Sequence, residues 1–272
     1  MNNVEINSII YNLISAVIWV TLTSLYFYFR NKFKRQDKFL SFLSIKKSAP
    51  LILCYGNTHN SVSYTSPILE ELPSTSFEYG DTNAILEIYS KFSIWSNIKP
   101  NWYSDYKPYK NSNNDIIVSI GGPKWNKTTE YLIGDIGSPL YFSSSKKGLI
   151  EKRSSVNKET LYEYNCTTNE NFSQISDFGC IICEKRDNGG LLMIISGYST
   201  FGVLFAAEAL TKIPNVTIKK VIKSLNNDKK FGLIIKGSIK LDNNGRVIGE
   251  SKIELLDWIG ERNFHESYNY SY

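Results

Sequence analysis

The sequence predicts an α/β domain of Rossmann-like, three-layer type with an antiparallel β extension, preceded by one N-terminal transmembrane helix. Three observations predict it. Short apolar runs recur just ahead of a glycine and are followed by segments with helical spacing. Two reversal signals, Asp187-Asn188-Gly189-Gly190 and Asp242-Asn243-Asn244-Gly245, lie between apolar runs in the C-terminal part. Finally, residues 9–29, IIYNLISAVIWVTLTSLYFYF, carry no ionisable side chain other than tyrosine.

A helix of that last length spans about 30 Å, the thickness of a bilayer's hydrocarbon core. Tyr26 and Tyr28 fall where an interfacial aromatic belt is expected. Arg30, Lys32, Lys34, Arg35 and Lys38 follow at once, whereas the residues ahead of the run hold Glu5 and no base. That asymmetry puts residues 1–8 outside and the C-terminal part in the cytoplasm of a single-pass cell-membrane protein. It also argues against a signal peptide, whose basic region precedes its apolar run. Residues 30–48 then form a basic juxtamembrane linker, in which bases over 30–47 face an anionic lipid surface with up to about 1 kcal/mol of attraction each. Residues 49–272 are left for one cytoplasmic domain.

Within that domain, Ala49 to Gly56 reads as a short buried strand ending in a turn, with Asn57 and His59 in the loop beyond it. A second unit runs from Ser74, with a strand to Tyr79, Gly80 as the turn, and a helix through Ala84, Ile85, Ile88 and Tyr89. Pro100, Pro108 and the polar cluster at 111–114 mark an irregular connection. A third unit, from Ile116 to Ile133, has a strand, the turn Gly121-Gly122-Pro123, and a helix start near Thr128 and Thr129. After a short strand at 138–142, a strand over Gly179 to Lys185 and its partner over Leu191 to Ser196 make a hairpin. The fourth junction follows: Gly197 ends the strand, Ser199 or Thr200 caps a helix, and Gly202, Ala206 and Ala207 permit close packing. The last two strands flank Asn243-Asn244-Gly245.

The chain of 272 residues is 42% hydrophobic, enough for a real core, and its formal charge is +5. Residues 1–50 hold seven bases and two acids, which accounts for the whole excess, so the domain itself is neutral overall. Nucleic acid is therefore not an expected partner. The spacing Cys180-Ile-Ile-Cys183 falls inside an apolar run, and neither Cys54 nor Cys166 completes a zinc pattern. With His59 and His265 as the only histidines, no metal site is predicted, and the cysteines read as buried structural residues.

In a Rossmann-like sheet the four junctions, at Gly56, Gly80, Gly121-Gly122 and Gly197, share one edge, where glycine lets backbone approach a ligand and helix N-termini favour an anion. None has the dinucleotide or Walker A fingerprint. Lys124 can neutralise an anion, Asn126 can pair donor and acceptor groups, and Thr128, Ser199 and Thr200 can cap a helix or contact phosphate or sugar. Glu78 and Asp81 flank Gly80 and can orient ribose hydroxyls. If the chain is an enzyme, Asp81, Glu78 or Glu208 is the carboxylate for cleavage or transfer at an N-glycosidic bond. His59 is a candidate acid or base.

The leading functional expectation is a membrane-tethered sensor of a nucleotide-derived or other small anionic ligand, signalling through homo-oligomerisation of the anchor. The alternatives are a nucleotide or nucleoside glycosidic-bond enzyme, and a membrane scaffold that uses the Tyr- and Trp-rich residues 95–109 against a protein partner.

Overall fold

The computed structural model describes residues 18–26, 41–44, 49–55, 74–96, 101–104, 114–124, 126–142, 149–154, 159–168, 173–244 and 246–265. The chain divides into two compact units, Met1–Lys38 and Phe39–Tyr272. In the first, residues 18–26 are helical with exposed side chains, and Trp19 and Val20 are 70% and 66% exposed. The rest of the expected anchor, 9–17 and 27–29, lies outside the described residues. Among the described residues no single helix is long and apolar enough to cross a membrane.

The second unit is a mixed α/β domain with a large mixed sheet. Its elements are β1 (Leu51–Tyr55), α1 (Ser74–Ser96), β2 (Asn101–Ser104), β3 (Ile116–Ile120), α2 (Lys127–Ile136), β4 (Leu140–Phe142), β5 (Leu149–Arg153), β6 (Thr160–Asn165), β7 (Thr167–Thr168), β8 (Gln174–Lys185), β9 (Leu191–Gly197), α3 (Thr200–Lys212), α4 (Asn215–Ser224), β10 (Lys230–Leu241) and β11 (Val247–Ile259). The main sheet runs β11-β10-β8-β9-β3-β1-β2, with the short β7 added against β8, and β4-β5-β6 form a small antiparallel sheet. From β2 through β1 and β3 to β9 all pairings are parallel. Between β9, β8, β10 and β11 they are antiparallel.

Strand periodicity explains why the sheet is covered on both sides. Successive side chains point to opposite faces, and the apolar runs are long enough to feed both. Leu51, Leu53, Val118, Ile181, Met193, Ile195 and Leu233 join the core that also holds Ala84, Ile88 and Phe92 of α1 and most of α3. Their neighbours Ile52, Cys54, Ile117, Ile182, Leu192 and Ile194 join the core with Leu132, Ile133 and Ile136 of α2 and with Phe142, Ile150 and Tyr164 of the small sheet. Helices α1 and α3 thus cover one face, while α2 and the small sheet cover the other.

Several elements differ from the sequence expectation, each for a physical reason. Gly80 does not end a strand; it lies inside α1, which starts at Ser74 and carries Glu78 and Asp81 as helical residues. Its missing side chain serves a helix contact, since a Cβ there would lie 2.8 Å from the Thr200 carbonyl oxygen. The expected irregular connection contains an edge strand, β2, paired in parallel with β1. Strand β8 starts at Gln174, five residues earlier than expected, because its first half pairs β7 and β10 beyond the end of β9.

The α1–α3 contact contains a buried base. Lys91, 1% exposed, donates from Nζ to the Leu210 carbonyl. That carbonyl lies in the last turn of α3, and its usual donor four residues on would be residue 214, which is Pro214 and has no N–H. Lys91 replaces the missing donor. Burial pulls its pKa down to about 7, against an opposing push from Glu87.

A lysine whose folded pKa is depressed contributes stability that is full above its unfolded pKa of 10.5 and is lost as pH falls toward the folded value. Wild type should therefore gain stability from pH 7 to 10 relative to Lys91→Met, with a slope difference approaching about 1.4 kcal/mol per pH unit. Urea denaturation across that range measures it, and parallel profiles for the two proteins would exclude a depressed Lys91.

Candidate functional site

The sheet order reverses between β1 and β3. The chain goes from β1 through α1 to β2 on one side, then crosses to β3 on the other. Because α1 and α2 lie on opposite faces, the carboxyl ends of β1 and β3 mark a topological switch point, the position at which open α/β sheets bind ligands. Tyr55 ends β1 and is 37% exposed. The loop beyond it, with Gly56, Asn57 and His59, lies outside the described residues.

On the β3 side the turn is built by hydrogen bonds. Gly121, at φ +113°, has a backbone conformation that L side chains rarely adopt. Its N–H donates to Ile195 O (2.9 Å), which ties the turn to β9. Asn126, fully buried, is the N-cap of α2: its Oδ1 accepts from the N–H groups of Thr128 (3.0 Å) and Thr129 (3.3 Å). Its Nδ2 donates to Ser119 Oγ (3.0 Å) and Ile120 O (2.9 Å). The Thr129 hydroxyl donates to Gly121 O (2.9 Å), so across the 2.8 Å contact it accepts from Ser119. Asn126 and Thr128 therefore face the interior, while Lys124 stands exposed in the turn after β3.

The fourth junction is held by a residue the sequence reading passed over. Asp177, on β8 and 1% exposed, accepts at Oδ1 from Phe178 N (2.7 Å) and at Oδ2 from Gly202 N (2.8 Å) and the Ser199 hydroxyl. Ser199 in turn caps α3 by accepting from Phe201 N (3.1 Å). The chain's own carboxylate thus occupies the α3 N-terminus, where a ligand anion was expected. Burial raises its pKa, opposed by these hydrogen bonds and by one with Cys166. The signal for Asp177 was an acid within an alternating strand pattern, between Ile175 and Gly179. Close approach completes the joint, because a Cβ at Gly197 would meet Gly202 Cα at 2.7 Å and one at Gly179 would meet Ala206 Cβ at 2.8 Å.

Three of the four expected junction groups do converge. The Thr200 hydroxyl donates to Asp81 Oδ1 (2.8 Å), and a Cβ on Gly122 would lie 3.2 Å from Gly197 O. Burial raises the pKa of the half-buried Asp81, opposed by the Thr200 hydrogen bond. The Ser196 hydroxyl, fully buried beside Gly122, has no hydrogen-bond partner among the described residues. Glu208 lies elsewhere, in an ion pair with Lys212 (2.7 Å), and accepts from the Ser251 hydroxyl of β11. For Glu78 only the helical backbone position is described.

The thiols are chemically quiet. All four cysteines are buried and free, and burial pushes Cys54 and Cys180 up to about 12 and raises Cys166 and Cys183 as well. They stay protonated at neutral pH and are not nucleophiles. Among the described residues no group of three or more His, Cys, Asp or Glu side chains is arranged to hold a metal ion.

These features define a class, a mixed α/β domain with a large mixed sheet whose strand-end polar groups mostly serve the fold. Comparison with protein-family models, curated proteins and solved structures finds no match for the chain.

Asn126→Ala should cost about 2–3 kcal/mol, through loss of the cap and orphaning of buried partners. Gly179→Ala should cost about 3 kcal/mol by forcing α3 off the sheet. Urea midpoints at constant m measure both, and an unshifted midpoint for either variant would refute the corresponding contact.

Proposed function

We propose that the chain is a membrane-tethered binding domain whose ligand is a small, nucleotide-derived anion. The observation that carries this reading is the order reversal at β1/β3, which in doubly wound, Rossmann-like sheets marks the ligand crevice. Glycine backbone, exposed Lys124 and the mouth of β1 border it, a set suited to an anionic ligand. Residues 9–29 are the anchor, 30–47 meet anionic lipid, and the domain is cytoplasmic, as the distribution of bases around the apolar run implies. Ligand occupancy is relayed through homo-oligomerisation of the anchor.

Binding is favoured over glycosidic catalysis because the described candidate carboxylates are already engaged, Asp81 by Thr200 and Glu208 by Lys212 and Ser251. A scaffold reading has its own support in Trp102 and Tyr103, each 43% exposed on the edge strand β2.

Full-length protein in detergent, titrated calorimetrically with a panel of mono- and dinucleotides, should bind at least one without turnover. Lys124→Glu should weaken that binding about tenfold, the worth of one charge-assisted contact. Absence of binding across the panel, or affinity indifferent to Lys124→Glu, would sink the reading. Product formation abolished by Asp81→Asn would replace it with the enzymatic one.

A further inference from the structure

We propose that a groove at the opposite edge of the main sheet is a second small-molecule site, separate from the β1/β3 crevice, and that its ligand is a nucleoside monophosphate. Strand order fixes the location. Gly232, near the start of β10, pairs with Ile259 at the end of β11, and Lys185 pairs with Leu191 at the start of β9. The start of β9 is in turn level with the start of β3, through Ile116 and Leu191. Gly232 is itself level with Ile182, Ile194 and Ser119, so strand order sets the groove apart from Gly121 and Gly197: it borders β11, with β10 and β8 between it and β9.

Its volume is about 610 Å³, and its wall combines Lys152 of β5, Ser224 at the end of α4, Asp228 beyond it, Asp257 and Trp258 of β11, and Arg262 and Asn263. This size lies within the range of ordinary ligand sites.

The hydrogen-bonding ledger of the wall leaves a specific set of groups over. Asp257 is neutralised by Lys152 (2.8 Å), whose ammonium also sits 5.5 Å from the Tyr162 ring centroid. Asp228 accepts the Glu261 N–H (3.0 Å), an approach that depends on Gly260, because a Cβ there would come within 2.5 Å of the same carboxylate oxygen. Asn263 spends its Nδ2 on Gly260 O (3.3 Å) and keeps Oδ1. Arg262 is exposed and makes no ion pair among the described residues. The Ser224 hydroxyl is exposed, and Trp258 is 37% exposed.

The remaining groups are thus one forked cation, one aromatic face, one hydroxyl and one carbonyl-type acceptor. Arg262 suits one phosphate, bidentately. The indole suits a planar base, which stacks on it. Ser224 and Asn263 Oδ1 suit ribose hydroxyls. A polynucleotide is disfavoured, because the wall offers, among the described residues, one unpaired cation against many phosphates. A sugar phosphate without a base leaves the indole unused.

The test uses full-length protein and AMP as the probe, with binding read by calorimetry and by tryptophan fluorescence. One equivalent of AMP should bind in a way that Arg262→Gln and Trp258→Leu each weaken about tenfold or more. Lys124→Glu should leave that equivalent unchanged, and ribose 5-phosphate should bind at least about tenfold more weakly than AMP. Circular dichroism and an unchanged urea midpoint confirm that the variants are folded, and exposed Arg262 is the variant least exposed to misfolding. No AMP binding, or binding indifferent to Arg262→Gln, overturns the proposal. Binding lost only with Lys124→Glu also overturns it, while leaving the β1/β3 crevice standing. Loss with Arg262→Gln but not Lys124→Glu supports the groove whatever the fate of the crevice.

Discussion

The architecture of the domain depends on how one buried carboxylate is satisfied. A charge as deep as that of Asp177 costs several kcal/mol unless fixed donors surround it. Phe178 N, Gly202 N and the Ser199 hydroxyl supply them. Two of these donors belong to the first turn of α3 and its cap, where the helix dipole also favours a negative charge. Meeting the carboxylate's needs therefore fixes the end of α3 against β8. That joint requires helix and strand backbones to approach more closely than side chains allow, which is why Gly179, Gly197 and Gly202 meet there. Once α3 is set, so is α1, through Gly80 and Asp81 against Thr200 at one end and Lys91 under Leu210 at the other.

Much of this was legible in the sequence, and the missing parts share a cause. The runs at 51–55, 116–120 and 191–197 and the two hairpin signals are local patterns, and all became strands and reversals of the expected kind. The fourth junction was legible to the level of its Ser199 cap. Gly80 misled because glycine has two uses, turning the chain and admitting a neighbour, and only tertiary structure distinguishes them. Asp177 was overlooked because its partners at the α3 end, Ser199 and Gly202, lie more than twenty residues away, beyond any local spacing. Asn126 was expected to contact a ligand through its paired donor and acceptor groups. Its hydrogen bonds, however, go to Ser119, Ile120, Thr128 and Thr129 and leave nothing for a ligand.

That last point separates two kinds of polar residue at a sheet edge. Those nearest the strands, Ser119, Asn126, Thr129, Asp177 and Ser199, satisfy one another or the backbone, and they serve as the frame. One step further out lie the glycine backbone and the exposed Lys124. The opposite edge follows the same logic: Asp228, Asp257 and Lys152 settle their charges within the wall, and the free capacity sits on Arg262, Ser224 and Trp258. Recognition at either edge would therefore rest on a few outer groups over a rigid inner layer.

The titratable groups of the inner layer are committed to the fold. Catalysis needs a nucleophile or base that is unencumbered near neutral pH. The buried thiols are held protonated, Asp177 is surrounded by donors, and Glu208 is tied to Lys212 and Ser251. Asp81 is the partial exception, half-buried, raised in pKa and held by the single Thr200 hydroxyl. Because Asp81 bridges α1 to the first residue of α3, a change in its protonation acts first on that helix contact. Thr200 in turn follows the Ser199 cap and the strand end at Gly197. Within the described residues, Asp81 therefore joins the packing of the domain to the edge where a ligand would sit.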